Sequence, residues 1–251
     1  MTYAICIVPV AHVRLIPDHR SEMTSQLLFG ESAKVLSLDK NGWMLIEAVH
    51  DGYKGYCRAN QFFSTSTLIQ NKREFTGDWV SAIFLNDQKM MIPFGSNLSI
   101  LNADLPGCKF TYSGNIYTAG TDAVSAENIL NIASMFLNTA YLWGGKSVFG
   151  IDCSGFVQSV FKMLDIYLPR DANTQVAEGQ PIGFLEETVC GDLAFFDDTD
   201  GNIMHVGILI NPGQIIHASG NVRVDTIDNE GITNSGTKKR THRLRIIKRI
   251  F

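Results

Sequence analysis

At Ser125 the hydrophobic pattern of this 251-residue chain changes period, and no other feature limits its fold as much. In "SAENILNIASMFLNTAYLWGG" the residues Ile129, Ile132, Ala133, Phe136, Leu137 and Ala140 recur every three or four positions. That spacing puts them on one face of a helix, with Ser125 as its N-cap. A Gly-rich loop follows. A second helix is predicted from near Cys153, with Phe156, Val157, Val160, Phe161 and Leu164 as its buried stripe. Then come the β-prone runs "GDLAFFDD", "MHVGILI", "QIIHASG", "NVRVDTI" and "THRLRIIKRIF". Two helices followed by an antiparallel sheet make residues 120–251 an α+β unit.

Everything before that point reads as β structure. Residues 1–63 hold "ICIVPVAHVRL", "SQLLFGESAKVLSLD", "GWMLIEAV" and "GYKGYCRANQF", broken by Pro17, Gly30, "DKNG" and "HDG". Five short strands at this spacing predict a small barrel. Their order resembles a bacterial SH3-like domain: a first strand with Val-Arg, a "GE" turn before "AKVL", then "GW" and "GY-x-GY". Residues 64–119 give further short runs, "DWVSAIFL", "QKMMIPFGSNLSIL" and "KFTYSGNIYTAG". On periodicity and length they are expected to form a second, degenerate SH3-like barrel.

Composition narrows the function classes. Net charge is −4, which offers no electrostatic case for binding bulk nucleic acid or an anionic membrane. The basic tail "KKRTHRLRIIKRIF" alternates charged and apolar residues, as an edge strand with a charged outer face does. No stretch approaches the roughly 20 apolar residues that span a bilayer. The N-terminus reads as a first strand and not as a signal peptide. Cys6, Cys57, Cys108, Cys153 and Cys190 are scattered, without a C-x-x-C pair, so neither structural zinc nor a disulfide framework is expected. Together these predict a reduced, cytoplasmic protein unless a leader precedes it, and a monomer is expected.

Cys153 sits in "WGGKSVFGIDCSGF". A thiol attacks only as thiolate, so a working cysteine needs a lowered pKa. At the start of a helix, the positive end of the dipole and the free N–H groups favour the anion, and the same N–H groups can hold an oxyanion. A small core residue needs none of this. Nucleophilic catalysis also needs a base. His12, His19, His50 and His242 lie in turn-like or basic contexts and read as solvated, whereas His205 and His217 each interrupt an apolar β run around the turn "NPGQ". A three-residue loop pairs Leu209 with His217 and puts both histidines on one sheet face; a two-residue loop pairs Ile208 with His217 and separates them. Catalysis therefore requires an odd-length loop or a bulge. His205 is then the base toward Cys153, and His217 orients it by accepting a hydrogen bond from its other nitrogen. These three groups can in principle bind zinc, but that leaves the helix start and its N–H groups without a role, so no metal or cofactor is expected.

"DCSGF", "HVGI" after "GDLAFF", and "IIHAS" together resemble the NlpC-type cysteine peptidases of bacterial cell-wall metabolism, over about residues 125–251. The resemblance implies a papain-like α+β fold and cleavage of amide bonds in peptidoglycan peptides. With "YLWGG" and SH3-like modules ahead, it is closest to γ-D-glutamyl-L-diamino acid endopeptidases, which take muropeptides with a free N-terminal L-alanine. It implies that Tyr141 lies beside the nucleophile and can donate to the oxyanion, and that Asp152 binds substrate. Trp143 and Ser154 match further substrate-site positions. Local roles compete, with Asp152 as helix N-cap and Trp143 as packing. In such relatives the first SH3-like domain supplies a glutamate and a tyrosine for the substrate's ammonium. Glu22 and Tyr56 match best, and Glu31 and Tyr53 compete. After "LPRD" relatives often place a small hydroxyl residue, but here it is Ala172, so a substrate hydrogen bond from that position is absent. A peptidoglycan-binding module, or a cysteine-dependent amidase or acyltransferase on another cell-wall substrate, uses many of the same features.

Overall fold

The computed structural model describes residues 2–69, 73–120 and 124–251. The chain divides into two compact units, Met1–Gly120 with Trp143–Phe149, and Thr121–Leu142 with Gly150–Phe251.

The first unit begins with one antiparallel sheet in the strand order 23–28, 10–14, 54–58, 43–48, 32–38, 3–6 and 62–65. Seven strands form where five were expected. Pro9 breaks the first run into Tyr3–Cys6 and Val10–Arg14, and the turn at Gly30 separates Met23–Leu28 from Ser32–Leu38. Phe62–Thr65 adds the last strand. Ala4, Cys6, Val13, Leu27, Met44, Ile46 and Cys57 fill its core. The described residues of 64–119 make five further short strands, split between a three-stranded sheet (80–85, 88–93, 110–112) and a two-stranded one (74–76, 116–118). They share a core with the preceding sheet, because Ile5 and Phe29 pack with Ile83, Ile92, Leu98, Ile100 and Leu105. The expected boundary at 63/64 thus falls inside one compact unit.

The second unit starts with helix α1, Ala126–Ser134, capped by the Ser125 hydroxyl, which accepts from the Asn128 N–H. It is shorter than its apolar pattern. Asn138 adopts a left-handed φ of 66°, and beyond Ser134 the chain tightens into turns, leaving Leu137 and Ala140 exposed while Phe136 stays buried. Helix α2, Cys153–Met163, is buried along its whole length, and Phe136 meets Phe156 edge-on at 5.8 Å between ring centres. The strands 193–197, 203–211, 214–219, 221–228, 231–233 and 240–249 follow in sequence-neighbour order, and the last pairs back with both 193–197 and 231–233. Six strands therefore close into a barrel. The C-terminal strand is not an edge: 240–249 has partners on both sides, and only the alternation of exposed charge was read correctly. Three of its arginines form ion pairs, Arg240 with Asp228, Arg243 with Asp197 and Arg249 with Asp192. No helix of the described residues is long and apolar enough to cross a membrane.

Candidate active site

Cys153 is the first residue of α2, and Asp152 is its N-cap, accepting from the Gly155 N–H at 2.7 Å. The Phe156 N–H goes to the Asp152 carbonyl, so the first-turn N–H groups of Cys153 and Ser154 remain outside the helical ladder. The thiol is 6% exposed. Burial, then the Asp152 charge, push it up to about 11, against the pull of the Val206 and Ser154 N–H groups and Arg170. Val206 follows His205 in the strand Ile203–Asn211, so the thiol faces the backbone that carries the first histidine.

The hairpin at "NPGQ" resolves the sheet-face question. Asn211 pairs with Gln214 across a two-residue turn, and a bulge between Leu209 and Asn211 resets the register to Leu209–Ile215 and Ile208–Ile216. The bulge, and not a three-residue loop, supplies the extra residue. Continuing this register sets His217 opposite Gly207, so His205 shares its face. A Cβ on Gly207 would lie 2.8 Å from the His217 Cβ, so glycine opens the space that imidazole occupies. His205 Nε2 then lies 2.8 Å from His217 Nδ1. Burial, followed by His242 and His217, holds His205 well below the ordinary histidine range, and burial takes His217 down to about 4. Burial thus favours the neutral form of both Cys153 and His205.

Two residues of this cluster had no role in the sequence reading. Asp225 Oδ2 lies 3.1 Å from His217 Nε2, and the two side chains are each 1% exposed. Asp225 is diagonal to His217 on the next strand, where Ile215 pairs with Asp225 and His217 with Arg223. The alternation of "NVRVDTI" hid it, because it sets Asp225 with Asn221 and Arg223 on the face opposite Val222 and Val224. His242, read as solvated, is half-buried and stacks on His205 at 4.1 Å between ring centres. Ligand atoms of His205, His217 and His242 lie within 4.8 Å of one another. Both His217 nitrogens are already hydrogen-bonded, and 2.8 Å is shorter than the about 3.3 Å between two nitrogens on a tetrahedral zinc. His205, His217 and Asp225 form a hydrogen-bonded line.

Tyr141 is held near Cys153 by its backbone, bridged to Gly220 and to Ile151. Burial, then the charges of Cys153 and Asp152, push its hydroxyl up to about 12, so it remains a donor. Asp152 is also gripped by Arg170, at 3.0 Å to Oδ1 and 2.6 Å to Oδ2, and Arg170 reaches the Ser154 hydroxyl at 2.9 Å. A substrate group meeting Asp152 or Ser154 shares them with this buried arginine. The buried Gln175 side chain donates to the Ser154 and Pro169 carbonyls, anchoring the helix start. Ala172 opens the short helix Ala172–Gln175.

Residues 138–244 match the NlpC/P60 family. The chain carries an NlpC/P60 peptidase domain. Ahead of this NlpC/P60 domain, residues 13–62 match the bacterial dipeptidyl-peptidase SH3 domain. A γ-D-glutamyl-L-lysine dipeptidyl-peptidase of Bacillus subtilis (strain 168) is 28% identical over 213 residues, 77% of this chain and 71% of its own length. Dipeptidyl-peptidase 6 of Lysinibacillus sphaericus is 26% identical over 266 residues, 90% and 92% of the two chains. The crystal structure of an NlpC/P60 family protein from Bacillus cereus ATCC 10987 has the same fold, with a TM-score of 0.77 at 20% identity over 99% of both chains.

The remaining candidates belong to the first unit. Trp143 is 57% exposed and donates its Nε1–H to Glu22 Oε1 at 2.6 Å, so the structure joins two residues 121 positions apart. Gly144, with φ at 76°, lets this segment run against the Met23 backbone, and the Lys146 N–H donates to Gln26 Oε1 at 2.8 Å. Tyr56, half-buried, pairs with Arg14, which pairs in turn with Met23, so Tyr56 and Glu22 sit two strands apart at one end of the sheet. The competitors differ. Glu31 is 7% exposed with Oε2 on the Leu28 N–H, and together with Tyr53 it lines an internal cavity.

Proposed function

We propose that the protein hydrolyses the bond between γ-D-glutamate and the following diamino acid, L-lysine or meso-diaminopimelate, in muropeptides with a free N-terminal L-alanine, releasing L-Ala-D-Glu. The observation that carries the chemistry is the 2.8 Å contact between His205 and His217, with Cys153 at the start of α2. The bond specificity is supported by the names of the relatives and by the resemblance of "YLWGG" and "DCSGF".

In this reading His205 takes the Cys153 proton as sulfur attacks the scissile carbonyl. The oxyanion develops against the Cys153 N–H and the Tyr141 hydroxyl, donors already in place before the reaction. His205 returns the proton to the leaving amine of the diamino acid, and a thioester remains on Cys153. Water, deprotonated by His205, cleaves that thioester and frees the dipeptide. Glu22, oriented by Trp143, is the carboxylate we assign to the substrate's ammonium, and Tyr56 is assigned to the same end of the substrate.

The test incubates the protein with L-Ala-γ-D-Glu-L-Lys, its meso-diaminopimelate counterpart and the N-acetylated form of each. Release of L-Ala-D-Glu from the free-amine peptides alone is expected. Equal cleavage of the acetylated peptides sinks the role of Glu22, and activity in Cys153→Ala sinks the mechanism. Transfer of the acyl group to an added amine in preference to water, seen by mass spectrometry, points to an acyltransferase instead.

A further inference from the structure

The hydrogen-bond line ending in Asp225 permits only one direction of protons. Burial pushes the Asp225 carboxyl up, but the Ser235 N–H, the Arg223 guanidinium and His217 outweigh it and leave it below the usual carboxylate range. It is therefore ionised at neutral pH, and its Oδ2 can only accept. His217 must then carry its hydrogen on Nε2, the nitrogen 3.1 Å away. Being neutral, it keeps a lone pair on Nδ1. At 2.8 Å that lone pair faces His205 Nε2, which must be the donor. His205 is left with its own lone pair on Nδ1, the nitrogen that His217 does not engage.

We propose that Asp225 is a positioning residue for catalysis: by accepting from His217 it fixes the tautomer of both imidazoles and keeps His205 Nδ1 as the base for Cys153. This rests on Cys153 and His205 being the reacting pair. The step balances simply. The Cys153 S–H bond breaks, its proton forms the Nδ1–H bond of His205, and the electron pair stays on sulfur. His205 becomes an imidazolium that still donates through Nε2, while His217 and Asp225 keep their protonation. The ionised carboxylate two hydrogen bonds away favours that imidazolium, a support that two histidines alone do not provide.

A merely structural Asp225 is distinguishable, because the surroundings dictate how an asparagine must sit. Oδ1 accepts from the Ser235 N–H at 2.7 Å and from Arg223 at 2.9 Å. In Asp225→Asn those two donors claim the amide oxygen, so the NH₂ faces His217. His217 must then accept at Nε2 and donate from Nδ1, and His205 must accept at Nε2 and carry its hydrogen on Nδ1. The shape is preserved and the base is lost.

The experiment labels the histidines with ¹⁵N and reads their tautomers at neutral pH by long-range ¹H–¹⁵N correlation. In the native protein both His205 and His217 are expected as Nε2–H, and an Nδ1–H form of either overturns the proposal, whether or not the variant folds. In Asp225→Asn both are expected to invert, with alkylation of Cys153 by iodoacetamide slowed between about 10²- and 10⁴-fold. Unchanged alkylation in a variant of native circular dichroism also overturns it. Neither readout uses a peptide substrate, so failure of the muropeptide assay alone leaves this result standing.

Discussion

Gly207 and His205 show how single positions set the chemistry. A methyl group at 207 meets the His217 Cβ at 2.8 Å and the Ile215 Cδ1 at 2.7 Å, both in the barrel interior. Gly207→Ala is expected to destabilise by about 1–3 kcal/mol and to displace His217 from His205. The check is a denaturant melt beside kcat, and a fully active variant contradicts the packing argument. His205 bears on pH. In the proposed mechanism its neutral form is the base, and burial holds its pKa well below 6.5, so protonation becomes harmful only below the ordinary histidine range. The acid limb of kcat/KM, which reports the free enzyme, is expected to fall below pH 6.5. A midpoint at or above that value means that His205 is solvated or paired with a thiolate.

At the scale of elements, two local devices aim the site. The bulge between Leu209 and Asn211 moves the register by one residue, and sheet faces alternate with period two. Deleting Ile210 removes the bulge residue and leaves Gly207 opposite His217, so His205 and His217 stay on one face. Retained peptide cleavage, with the β signal of circular dichroism unchanged, is the expected outcome, and loss of cleavage contradicts this register. The second device is the start of α2, where Asp152 caps the helix and Arg170 neutralises it, with side chains 8% and 1% exposed. Arg170→Ala leaves a buried carboxylate without its cation and is expected to cost about 3–5 kcal/mol. Ser125→Ala at the more exposed start of α1 loses a single capping bond and costs about 1 kcal/mol. Chemical denaturation compares them, and equal losses count against the buried-pair argument.

Over the whole molecule, spectroscopic labels happen to divide between the two units. Trp43, Trp79 and Trp143 all fall in the first, while α1 and α2 lie in the second. Tryptophan fluorescence therefore follows the first unit, and helical circular dichroism the second. The pKa values of His205 and His217 are lower folded than unfolded, so their contribution is fully present above pH 6.5 and is lost as pH falls toward about 4. For His217 alone the loss by pH 4 is about 3 kcal/mol. On acidification the helical signal is expected to become less resistant to urea across that window. An unchanged urea midpoint between pH 6.5 and 4 contradicts a neutral buried pair.

What the sequence determined by itself was local or periodic. The change of period at Ser125, the cap at Asp152, Cys153 at the head of α2 and the requirement that His205 and His217 share a face follow from residue spacing, which is a property of the chain. Tertiary structure decided what depends on strands meeting across the barrel. It closed the sheet through a C-terminal strand that alternation alone made look like an edge. It chose a bulge over a longer loop, placed His242 on His205, and brought Asp225 to His217 from the next strand. Glu22 and Trp143, neither of them in a strand, are joined across 121 positions by a side-chain hydrogen bond. Hydrophobic period specifies which face a residue occupies, but partners on a shared face are set by register, and register is settled only when the whole sheet packs.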